Sequence, residues 1–72
     1  METEKLITMA NQIGDFFEAY PNDTEAKEEI ANHLHNFWNS VMIQSIVRHV
    51  QQNQGKGLQP RVIDAIKQHL AN

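Results

Sequence analysis

The sequence predicts an all-α fold: a small antiparallel bundle of three or four short helices, forming a single domain over residues 1–72. Three observations carry this reading. Apolar residues recur at helical spacing in successive stretches, and no stretch alternates polar with apolar residues as a half-buried strand would. Pro21, Gly55-Lys56-Gly57 and Pro60 fall where those stretches meet. With 40% hydrophobic residues the chain has the material for a core, which argues against disorder. A single core in a chain of 72 residues usually supplies only about 3 to 5 kcal/mol, so support from a partner is expected.

The first helix is expected from Lys5 to Tyr20, where Leu6, Met9, Ala10, Ile13, Phe16, Phe17 and Tyr20 share one stripe and Thr8, Asn11, Asp15 and Glu18 fall opposite. Ala10 and Gly14, one turn apart, form a small-residue spacing that lets another backbone approach; alternatively, Gly14 merely weakens the helix by about 1 kcal/mol relative to Ala. Pro21 stops this helix. Asn22 then caps the second, with Glu25 three residues on, the capping-box arrangement. From Thr24, the residues Ala26, Ile30, Leu34 and Phe37 form its inner face, while Glu25, Glu28, Glu29, Asn32 and Asn36 turn away.

Asn39 and Ser40 mark a break or a kink, with Ser40 expected to cap a third helix whose stripe is Met42, Ile43, Ile46, Val47 and Val50. Gly55-Lys56-Gly57 ends it, because glycine adopts the left-handed conformation used just past a helix terminus. Pro60 suits the first turn of a last helix that faces Val62, Ile63, Ile66 and Leu70 inward. The central line of these stripes gives an expected core of Leu6, Ile13, Phe16, Ile30, Leu34, Phe37, Ile46, Val50, Ile66 and Leu70.

Little in the sequence points to catalysis. There is no cysteine, so neither disulfides nor thiolate metal sites can form. His33 and His35 lie about 200° apart around a helix, whereas shared ligation needs a spacing of three or four residues. Asp15, Glu18, Glu25, Glu28 and Glu29 all map to polar faces that stay solvated. The expected cofactor complement is therefore none: no metal and no redox group. His49 and His69 sit late in their helices, where a cation is favoured by the dipole. A net charge of −3 with only six lysines and arginines opposes nucleic-acid binding, and a helix-turn-helix reading of the middle helices would leave Arg48 as the recognition helix's only base. No apolar run approaches the roughly 20 residues a membrane span needs, and the first residues are acidic where a secretory signal is basic. A cytoplasmic location is expected.

The aromatic residues gather in two stretches rich in amides and histidines, Met9 to Phe17 and Ala31 to Trp38. Phe16, Phe17 and Phe37 are most simply core. Trp38 lies beside its helix's stripe, divided between core rim and partner contact, and tryptophan is enriched among interface anchors. Ile7 and Val41 also point off their stripes, leaving apolar surface for association. Asn11 and Gln12 project from a polar side, and their amides can both donate to and accept from another backbone, although simple solvation is the plainer alternative. Ile7, Asn11, Gln12, Trp38 and Val41 thus form the candidate partner-binding set.

These residues carry a resemblance. Met9-Ala10-Asn11-Gln12-Ile13-Gly14 with Phe16-Phe17, followed by Ala31-Asn32-His33-Leu34 and Phe37-Trp38, resembles the delta subunit of NAD-dependent, molybdenum-containing formate dehydrogenase. It extends over nearly the whole chain, through Met42 and through Gly57-Leu58 before the proline-started last helix. One departure stands out: that family tends to follow its tryptophan with an acidic residue, proline, arginine and methionine, and here Asn39-Ser40-Val41-Met42 takes their place. Any contact made there by a family arginine would have to be replaced, for example by Val41 and Ile43. The resemblance implies a non-catalytic accessory subunit of a cytoplasmic complex whose larger subunits carry the molybdopterin cofactor, iron-sulfur clusters, flavin and NAD site. It would brace the large catalytic subunit or support its cofactor loading. Two alternatives stay open: a maturation factor that visits the enzyme transiently, and an unrelated regulatory protein that forms homo-oligomers, for which a homodimer of the isolated chain would be the sign.

Overall fold

A computed structural model describes residues 2–71 and contains four helices and no strand among them: α1 (Thr3–Phe16), α2 (Asp23–Phe37), α3 (Ser40–Asn53) and α4 (Pro60–His69). The helices form a small all-α bundle with a radius of gyration of 10.8 Å. The most extensive packing is between α2 and α4, followed by α1 against α3. Leu6, Ala10, Ile30, Leu34, Ile46, Val50, Val62, Ala65 and Ile66 meet at the centre, nearly or fully removed from water.

The helix starts follow local chemistry. The Asn22 side chain accepts from the Glu25 backbone N–H at 2.9 Å, as the capping box predicts. The third start differs from expectation by one residue: Asn39, not Ser40, is the cap, its carboxamide oxygen accepting from the Met42 N–H at 2.9 Å. Either side chain suits a cap, and the residue that adopts extended backbone ahead of the helix takes the role. Pro60 occupies the first turn of α4.

α1 stops at Phe16 and does not reach Tyr20. Arg61, at the start of α4, donates to the carbonyls of Phe17 at 3.1 Å and Glu18 at 3.5 Å, so a cation satisfies oxygens at the carboxy-terminal end of the helix. Arg61 also pairs with Asp23 at 3.0 Å. Lys27 completes a network, 2.8 Å from Asp23 and 3.4 Å from Asp64. The Lys27 hydrogen bond, joined by Arg61, holds the Asp23 carboxyl below its ordinary value, and Asp23 in turn holds the Lys27 ammonium above its own.

The segment between α3 and α4 is tied down at three points. Gln54 takes a left-handed conformation (φ 56°), followed by Gly55 and Gly57 at φ 68° and 91°. Asn11 on α1 reaches this segment with both ends of its carboxamide: its nitrogen donates to the Gly57 carbonyl at 2.9 Å and its oxygen accepts from the Gln59 N–H at 2.9 Å. Gln59 answers, donating to the Asn11 carbonyl at 3.2 Å and the Asp15 carboxylate at 2.6 Å. From the other side the buried His49 hydrogen-bonds through Nε2 to the Lys56 carbonyl at 2.8 Å. The small-residue spacing on α1 is used here as well: a methyl group on Gly14 would meet Val62 at 2.7 Å and the Gln59 side chain. What approaches Gly14 is thus a pair of side chains from the start of α4, not a backbone.

Asn11→Ala removes a donor and an acceptor from two backbone groups and is expected to cost about 1 to 3 kcal/mol, read as a fall in the urea midpoint without a change in slope. An unchanged midpoint would show that water replaces the carboxamide at no cost. The Asp23 contribution has a definite pH sign. A carboxyl whose value is lowered by folding stabilises above its ordinary value of 3.8 and ceases to as pH falls through the lower folded value. Asp23→Asn is therefore expected to be less stable than the parent at pH 7, by a small margin because the Asp23 side chain is 57% exposed, and the difference should close in acid. A difference that widens in acid would contradict the assignment.

Candidate functional site

Phe16 and Phe37 are the last residues of α1 and α2, and Phe17 and Trp38 follow them as the cap residues. Each pair here divides. Phe17 is buried and Phe16 is 76% exposed; Trp38 is buried and Phe37 is 73% exposed. The expectation that Phe16 and Phe37 belong to the core is corrected by these values, while Ile13 and Leu70 are half-buried at its edge. The remaining six expected core residues, Leu6, Ile30, Leu34, Ile46, Val50 and Ile66, are buried.

The two exposed phenylalanines stand over an open groove of about 480 Å³ between α1 and α2. Met9, Gln12 and Ile13 of α1 and His33 of α2 line it, together with Phe17, Trp38 and the Met42 side chain near the start of α3. The rings are ordered by mutual contact: Phe16 meets Phe17 edge-on at 4.9 Å, Phe17 meets Tyr20 at 5.2 Å, and His33 lies against Phe37 at 4.7 Å. No lysine, arginine or carboxylate is among the lining residues. Elsewhere, no cluster of three metal-capable side chains occurs among the described residues, and no described helix is long and apolar enough to cross a membrane.

The five candidate partner-binding residues are dispersed by the fold. Gln12 and Trp38 line the groove, Gln12 from its exposed wall and Trp38 as part of its buried floor, where it also belongs to the core cluster. Ile7 faces the opposite side of α1 and packs against Gly57. Val41 is 64% exposed and does not line the groove. Asn11 does recognise backbone, as its chemistry suggests, but the backbone is its own chain's 57–59 segment. Sequence reasoning missed Phe16, Phe37, Met9, Ile13, His33 and Met42 as a surface. The available signal was the adjacency of Phe16 with Phe17 and of Phe37 with Trp38, since neighbouring helical residues point about 100° apart.

Stability measurements on the chain alone separate core from groove. Leu34→Ala, at a position with no exposure, is expected to cost about 2 to 5 kcal/mol through the cavity it leaves. Phe37→Ala is expected to stay within about 1 kcal/mol of the parent by urea titration, because most of its ring already meets water. Comparable losses at the two positions would place Phe37 in the core.

A family model described as NADH-dependent formate dehydrogenase delta subunit matches residues 5–66, most of α1 to α4. No curated protein and no solved structure matches the chain. The match includes both aromatic pairs, Asn11 and the glycine-bounded turn that Asn11 fastens, and the chain belongs to the family of NADH-dependent formate dehydrogenase delta subunits.

Proposed function

We propose that this chain is a non-catalytic accessory subunit that docks onto the large, molybdopterin-bearing subunit of a cytoplasmic formate dehydrogenase and braces it. The observation that carries this reading is the α1–α2 groove, where Phe16 and Phe37 are about three-quarters exposed beside Met9, Ile13 and Met42. Exposed aromatic rings over an apolar floor are costly on a free protein and favourable once covered. Docking would cover them.

Between bracing and cofactor loading, the lining favours bracing. A pyranopterin dinucleotide presents phosphates, and no lysine or arginine lines the groove to neutralise them. The side chains present suit burial of apolar groups from another protein. Trp38, on the groove floor, would then serve both the bundle and the partner.

The test is purification of the enzyme through a tag on this chain. The large subunit should be recovered with the parent, and the Phe16→Ala, Phe37→Ala double variant should recover at least tenfold less. Its helicity should be unchanged, and its melting temperature should move by no more than about 5 °C. Active enzyme recovered without this chain would make it a transient visitor. Full recovery with the double variant would move the docking site elsewhere on the molecule.

A further inference from the structure

Charge is distributed unevenly along the chain. Residues 1–37, which include both helical walls of the groove, hold eight of the nine carboxylates but only two of the six lysines and arginines. One of those two cations, Lys27, is committed to Asp23 and Asp64, and Asp23 also takes Arg61. The other is Lys5, one turn before Met9. Glu18, Glu25, Glu28 and Glu29 enter no ion pair among the described residues. On α2, Glu25, Glu29, His33 and Phe37 succeed one another at intervals of four residues and so share one line along the helix. That line runs from two unpaired carboxylates into the groove.

We propose that the groove receives a basic-flanked amphipathic helix: a partner segment with apolar side chains at intervals of three and four residues and with lysine or arginine beside them. The inference rests on the docking reading above and names what docks. The apolar floor takes the stripe, and two adaptable methionines in the lining, Met9 and Met42, accommodate its shape. Glu25 and Glu29 face the flanking cations.

The small area of the patch sets a second copy of this chain aside. A fully covered phenylalanine removes roughly 150 to 250 Å², so two rings at about three-quarters exposure offer a few hundred Å², against roughly 800 Å² per partner at a standard interface. A single helix, presenting three or four apolar side chains, matches a patch of that size.

Photocrosslinking identifies the occupant. Phe37 is replaced by benzoylphenylalanine in the full chain, the enzyme is assembled in cells and irradiated, and the crosslinked segment is sequenced. The expected product is a segment of another protein with apolar residues at helical spacing and at least two lysines or arginines flanking them. If it belongs to a formate dehydrogenase subunit other than the large one, or to an unrelated protein, this inference stands and the large-subunit reading falls. An acidic or non-amphipathic segment, a second copy of this chain, or no crosslink overturns the inference. In the same assembly Glu29→Lys should lower recovery of the partner by about three- to tenfold at low salt, with the loss shrinking toward 1 M as charges are screened. A loss independent of salt, or none, overturns the charge assignment even where the crosslink is as expected.

Discussion

The carboxamide of Asn11 holds together the part of the molecule that local sequence leaves undetermined. α3 and α4 are joined by a turn with three residues at positive φ, Gln54, Gly55 and Gly57, closed by backbone hydrogen bonds from the Gly55 N–H to the His49 carbonyl and from the Leu58 N–H to the Gly55 carbonyl. Asn11 ties this turn to α1 by satisfying the Gly57 carbonyl and the Gln59 N–H together, and His49 holds the Lys56 carbonyl from α3. With Gln59 secured, Pro60 starts α4 beside Gly14, where only a glycine leaves room for Val62. Arg61 then reaches the end of α1 and Asp23 at the start of α2. The principal packing of the bundle, α2 on α4, follows from that placement.

The same placement explains where the groove is. α4 begins against the Asn11–Gly14 side of α1, so the Met9, Ile13 and Phe16 flank of that helix has no fourth helix across it. On α2, Ile30 and Leu34 are used against the core while His33 and Phe37 stand to one side. The exposed aromatics are thus the unfilled side of a four-helix arrangement. In a family of delta subunits of formate dehydrogenase, an unfilled side is where another subunit has room to complete the packing.

The all-helical class and most of the core were legible because apolar spacing and capping are local, while the choice between three helices and four turned on whether Asn39 breaks or kinks the chain. The Asn22 cap and the proline-started last helix needed no knowledge of the rest of the chain, whereas α3 is capped by Asn39 and not by the expected Ser40. The site was less legible because it depends on which side of each stripe tertiary neighbours cover. Phe16 and Phe17 both lie within one broad apolar arc, and periodicity does not say that Phe17 turns inward against Tyr20 while Phe16 remains outside. Asn11 shows the complementary difficulty. Its capacity to bind backbone was apparent, but a partner 46 and 48 residues away in the same chain is indistinguishable in sequence from one in another protein.

If the groove is the face that meets the rest of the enzyme, the side chains lining it should lose access to solvent on assembly while those on the opposite face keep it. Hydroxyl-radical footprinting reads this directly, because methionine and aromatic side chains oxidise readily. Comparison of the free chain with the assembled enzyme should show oxidation of Met9, Phe16, Phe37 and Met42 falling several-fold, with Ile7, His35 and His69 unchanged. Protection at Ile7 and around Gly57, with Phe16 and Phe37 still oxidised in the complex, would contradict it.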